Sequence, residues 1–156
     1  FPNKSFMTNN FLINRKILEE NKFDERITKY GHEDTLFGFS LKKRNIEIIH
    51  IDNPIINGDI EQNIEYLNKT KEGIINLISI LNFIEYRNDI INDVTILKFY
   101  NKVRKVEKLI YLSFVISKPL ITFLLTKGYV SIYLFDFYKL GVFIENLRIT
   151  PYNKGS

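Results

Sequence analysis

The chain has no cysteine, no tryptophan and no alanine, and a single methionine, among its 156 residues. Without cysteine, neither a disulfide nor a thiolate metal site can form, which suits a cytosolic setting. There is no Asp-X-Asp triplet, no G-x-G-x-x-G and no P-loop, so no recognisable phosphate-binding motif is present. No helix-turn-helix, RNP or KH signature occurs, and nucleic acid is not an expected partner. No uninterrupted apolar run reaches the roughly 20 residues of a spanning helix. The longest candidates, Leu109–Ser117 and Leu120–Leu125, are separated by Lys118-Pro119. No charged leader precedes an apolar segment. The chain starts at Phe1, and the expectation is a piece of a longer protein.

What is present is core material: 45% hydrophobic residues and 14% aromatics suit a packed domain and not a disordered one. The abundance of Ile, Asn, Lys, Phe and Tyr has the look of AT-rich coding, which lowers the meaning of any single Asn. The net charge of +4 is unevenly spread. Residues 1–97 carry 12 Lys/Arg against 15 Asp/Glu, a balance of −3, and residues 98–156 carry 10 against 3, a balance of +7. A basic, apolar last third suits an anionic partner such as a membrane surface or, less well in the absence of a binding signature, nucleic acid.

Periodicity predicts a strand over Phe6–Ile13. A short helix Arg15–Glu20 follows, capped by Asn14 and stopped by a left-handed Asn21. After a polar loop, Glu33 opens a helix to about Arg44, with Leu36, Phe37, Ser40 and Leu41 inward and Lys42 to Arg44 favouring its dipole. Ile46–Ile51 and Ile55–Asn57, joined by Asp52-Asn53-Pro54, read as a hairpin. Asp59 with Gln62 resembles a capping box for a helix to about Asn68. Thr70 caps another to about Tyr86. Asp93–Lys108 is basic and amphipathic, and Tyr129–Gly141 is open between helix and strand. The expected division lies near Asn88–Asp93, giving residues 1–88 and a helical tail, 89–156.

The order Asn9-Asn10, Phe23-Asp24-Glu25, Tyr30-Gly31-His32-Glu33-Asp34, then Pro54-Ile55-Ile56-Asn57 resembles the acceptor-side half of bacterial family 2 (GT-A type) glycosyltransferases. It is also similar to the galactosyltransferase and chondroitin-polymerase C-terminal motif. The match covers roughly the first half of the chain. The tail around Leu134–Gly141 resembles the ends of short capsule and lipopolysaccharide glycosyltransferases. The resemblance implies an α/β fold: the C-terminal portion of a GT-A domain followed by a helical appendage. It implies inverting transfer of a sugar from a nucleotide-diphosphate donor to a glycan or glycolipid acceptor, in surface polysaccharide synthesis, with the donor-binding half elsewhere. The fragment alone is then expected to be inactive.

Such chemistry needs a carboxylate within reach of the acceptor hydroxyl, kept ionised by a helix N-terminus. By resemblance Asp34 is that base and Glu33 an acceptor ligand, while His32, in place of the family's second Gly, and Asn9 and Asn10 line the substrate pocket. Acidic residues are also ordinary in a first helical turn. Mn²⁺ or Mg²⁺ is a family cofactor, yet Asn57 stands where metal-dependent members carry His, and an Asn oxygen is a weak ligand for hard cations. His50 serves only under a shifted register. The basic tail has two readings, an appendage packed on the core or a second subunit, and a helix lying on an anionic membrane. The latter would place the protein on the cytoplasmic face of a membrane. A non-catalytic helical interaction or membrane-docking module is the alternative function.

Overall fold

The computed structural model describes residues 6–56, 58, 60–129 and 131–150. The chain divides into two compact units, Phe1–Ile60 and Glu61–Ser156. Residues 61–88, which the sequence groups with the first half, pack with the helices that follow them.

The first unit contains helices α1, Arg15–Glu20, and α2, Glu33–Lys43, joined and followed by irregular chain. Asn14 caps α1 by accepting from the Lys16 N–H at 2.9 Å. Asn21 ends it with φ −131°, outside the left-handed region, and donates its side-chain amide to the Ile17 carbonyl at 2.7 Å. Helix α2 buries Leu36, Phe37, Gly38, Phe39 and Leu41. It closes in a Schellman arrangement. Asn45 takes φ 57°, the Ile46 N–H donates to the Leu41 carbonyl at 2.9 Å, and the Asn45 N–H to that of Lys42 at 3.0 Å.

The expected α/β architecture is not what forms. Every regular element among the described residues is helical, which does not fit an α/β portion of a GT-A domain. Phe6–Ile13 turns at Thr8 and Asn9 instead of running as a strand, and Ile46–Ile51 is irregular. The end of the expected hairpin, Asn57, lies outside the described residues. A strand exists only by virtue of a ladder with a neighbour. Ile46 and Ile48 are half-buried while Glu47 and Ile49 are exposed, so the alternation is real, but the described residues contain no strand.

The second unit is a helical assembly. Helix α3, Asn63–Phe83, is followed by α4, Arg87–Asp93, α5, Thr95–Val103, a turn of 3-10 helix at Arg104–Val106, α6, Glu107–Thr126, and α7, Ile132–Ile149. Helix α3 runs unbroken through Thr70, where the sequence suggests a new start. The Thr70 hydroxyl donates to the Tyr66 carbonyl at 2.8 Å, a bond available inside a continuous helix. Its N-terminus is set by Gln62, whose N–H donates to the Glu65 carboxylate at 3.3 Å. Asp59 lies outside the described residues.

Helix α6 likewise runs through Pro119. Proline removes the bond to the Val115 carbonyl. Two residues before the proline, Ser117 donates its hydroxyl to the Ser113 carbonyl at 2.7 Å. Gly128, at φ 85°, makes the reversal into α7, where the Ser131 hydroxyl accepts from the Leu134 N–H at 3.3 Å. Helix α7 is the centre of the unit. It packs on α6, α3 and α5, and Tyr138, Leu140, Val142, Phe143, Ile144 and Leu147 are buried. Phe114 of α6 lies flat on Gly141: a Cβ there would fall 2.1 Å from the ring. At one edge the Tyr100 hydroxyl donates to Glu107 at 2.6 Å, and the Arg148 guanidinium sits 4.1 Å from the centre of the Tyr111 ring.

Candidate functional site

The site expected from sequence is the mouth of α2, and its geometry starts with backbone conformation. Gly31 and His32 both take positive φ, 97° and 72°. Two successive left-handed residues turn the chain sharply into the helix. Glycine adopts this conformation without strain, whereas a side chain there is uncommon, His being one of the more tolerant. His32 is the N-cap by position, but its side chain makes no capping bond. Its carbonyl accepts the first helical bond, from the Leu36 N–H at 3.0 Å. The residue as a whole is half-buried, and burial pushes the imidazole pKa down to about 4. The ring is therefore neutral at pH 7.

Glu33 and Asp34 occupy the first turn, where free N–H groups and the helix dipole favour anions. The two oxygens of Asp34 have different surroundings. Oδ2 accepts from the backbone N–H of Thr8 at 3.1 Å, which fixes the carboxylate against the segment 26 residues upstream. Oδ1 is shielded from solvent and has no protein hydrogen-bond partner, and the same holds for Oε2 of Glu33. One carboxylate oxygen on each of these two residues is thus shielded without a donor, a costly arrangement that a hydroxyl-bearing ligand or a cation would relieve.

Below the carboxylates, aromatic packing fixes α2. Phe37 stacks on Phe23 with centroids 4.2 Å apart and an angle of 14°, and meets Phe6 at 5.3 Å. Phe6 in turn meets Phe11 edge-on at 5.3 Å. The Phe23-Asp24 loop is held by Arg26, which donates from Nε to Asp24 Oδ1 at 2.8 Å and from Nη2 to Oδ2 at 2.6 Å. That bond from Arg26 holds the Asp24 carboxyl below the ordinary aspartate range.

His32, Glu33 and Asp34 are therefore contiguous at one helix mouth. Asn9 and Asn10 are exposed, and the Asn10 amide donates to the Asn53 carbonyl at 2.9 Å, a loop-bracing contact. His50 lies on an exposed stretch, and Asn57 is outside the described residues. Among the described residues no three His, Asp or Glu side chains gather as a metal trio. Glu33 and Asp34 provide two carboxylates, and no third His, Asp or Glu joins them among the described residues. Sequence reasoning missed Thr8. Its contribution is a backbone N–H, which carries no side-chain signature.

Compared with known proteins, the chain matches no family model, no curated protein and no solved structure.

Proposed function

We propose that this chain carries the acceptor-side carboxylates of an inverting glycosyltransferase, with Asp34 as the general base and Glu33 holding the acceptor. The reading rests on the order of motifs around Tyr30–Asp34 and on one geometric observation. Asp34 is anchored through Oδ2 to the Thr8 N–H, while its Oδ1, like Oε2 of Glu33, is left without a protein donor. The fold does not contribute to it.

In the proposed step, the acceptor hydroxyl gives its proton to Oδ1 of Asp34 as its oxygen bonds to the anomeric carbon of the donor sugar. The bond from that carbon to the nucleoside diphosphate breaks, and the diphosphate leaves with the electron pair. Attack opposite the leaving group inverts the anomeric centre. Glu33 can accept from a second acceptor hydroxyl and so fix its orientation, where positioning supplies rate. This reading requires nucleotide-binding elements in addition to the residues described.

Asp34→Asn preserves the shape and the bond from Thr8 but cannot take a proton. In the full-length protein, assayed with a panel of nucleotide sugars with and without Mn²⁺, it is expected to lower kcat by about 10²–10⁴-fold. The circular-dichroism spectrum and melting temperature should stay close to those of the parent. Turnover undiminished in Asp34→Asn, or no transfer by the parent protein from any donor, would overturn the proposal.

A further inference from the structure

Helix α6 is apolar on both sides, and only one side is used. Its inner side buries Phe114 and Ile121, with Phe114 against Gly141 of α7 and edge-on to Phe137 and Tyr138. Its outer side carries Leu109, Leu112, Ile116, Leu120 and Phe123, which are 56 to 74% exposed. Their spacing of three, four, four and three residues places them on one stripe. Within the continuous helical run Thr95–Thr126, long and apolar enough to cross a membrane by length and composition, only 11% of the most apolar stretch is buried. A soluble core helix hides such surface.

Charge decides what covers the stripe. From Leu109 to Thr126 the one charged residue is Lys118, and its ammonium is bound by both oxygens of Glu145 on α7, at 2.9 and 2.7 Å. The outer face is thus uncharged over 18 residues, roughly 27 Å at the helical rise. Its N-terminal end is bordered by exposed Lys98, Lys102, Arg104, Lys105 and Lys108, and its C-terminal end by exposed Lys127 and Tyr129, with Ile132 and Tyr133 just beyond. Residues 95–129 hold seven Lys/Arg against the single acid Glu107.

We propose that the outer face of α6 is a docking surface for an anionic lipid bilayer. The leucines, Ile116 and Phe123 would enter the boundary between headgroups and chains, the lysines at both ends would reach the phosphates, and the tyrosines would lie at the polar edge. Helix α6 lies along the surface and does not cross it, because its other side is committed to α3 and α7. A second copy of the chain fits poorly. Pairing two stripes in either direction sets cations against cations at both ends. The proposal is independent of Asp34 and of sugar transfer.

The chain has no tryptophan, so Phe123→Trp creates a single fluorescent reporter on the stripe. Mixed with vesicles of phosphatidylglycerol and phosphatidylcholine at low salt, this variant should show a blue-shifted emission and sediment with the lipid. With phosphatidylcholine alone, or at high salt, partitioning should fall. Leu112→Glu with Ile116→Glu should abolish binding while the helical spectrum is retained. A second set that leaves the stripe intact, Lys98, Lys102, Lys105 and Lys108 each to Gln, should weaken binding to anionic vesicles by roughly fivefold per cation removed. The proposal is overturned by absence of binding at low salt, by equal partitioning onto neutral vesicles, or by binding that survives the paired glutamates. A concentration-dependent dimer that those glutamates dissolve, with no lipid binding, would overturn it in favour of self-association.

Discussion

At the scale of single residues, the mouth of α2 shows how one position can set both conformation and charge. His32 stands in a left-handed conformation at φ 72°, which a glycine would adopt without strain. Its imidazole, pushed down to about 4 by burial, couples folding to pH. The folded state favours the neutral ring, so this contribution is fully present above the unfolded value of about 6.5 and is lost as pH falls from there towards 4. Urea unfolding at pH 7 and pH 5 should therefore show a lower midpoint at pH 5. His32→Gly should remove that part of the dependence and relieve backbone strain of about 1 kcal/mol. A pH dependence unchanged in His32→Gly would assign the effect to other groups. The charge character of this site was legible in the sequence, because Glu33 and Asp34 announce a helix start. The anchoring of Asp34 was not, since it depends on the main chain of Thr8, brought there by Phe6 and Phe37 packing.

At the scale of elements, what could be read was what is decided locally. Asn14, the six residues Arg15–Glu20 and Asn21 define α1, and acidic Glu33 and Asp34 with basic Lys42 and Lys43 bracket α2, so both helices fall within a residue of expectation. The strands failed for the opposite reason: a ladder is a contract between distant segments, and alternation alone cannot provide the partner. Ile49, Ile51, Ile56 and Ile60 remain exposed along the irregular stretch after α2. Local punctuation also misled at Thr70, whose hydroxyl bonds back to the Tyr66 carbonyl within the helix, and at Pro119, which α6 accommodates without ending. The Schellman end of α2 was readable in principle, because Asn after a basic turn is a usual left-handed stop. Asn45→Val places a β-branched residue at φ 57° and should destabilise the protein by about 1–2 kcal/mol, measured by urea denaturation, whereas Asn45→Gly should be neutral or stabilising. Equal stability of the two variants would mean that the end of α2 does not hold its left-handed turn in solution.

At the scale of the molecule, the charge asymmetry acquires an address. Residues 1–60 hold nine Lys/Arg and nine Asp/Glu, so the whole excess of +4 belongs to 61–156, where 13 face nine. That unit has its own core, centred on α7, and a boundary at Ile60 and Glu61, so it meets the requirements of an independently folding domain. Produced alone, 61–156 should give a helical spectrum and a cooperative melt. Its sensitive point is the seat of Phe114 on Gly141. In an open helix, Gly to Ala gains about 1 kcal/mol of propensity. Here the added methyl would overlap a fully buried ring whose nearest atoms lie 2.1 to 2.6 Å from it. Overpacking of this kind costs about 1–3 kcal/mol and should outweigh the propensity gain. At roughly 4–8 °C per kcal/mol for a domain of this size, Gly141→Ala should lower the melting temperature of 61–156 by several degrees. A melting temperature that rises instead would show that α6 and α7 are not in this contact, and the outer stripe of α6, defined by what its inner side covers, would lose its orientation with them.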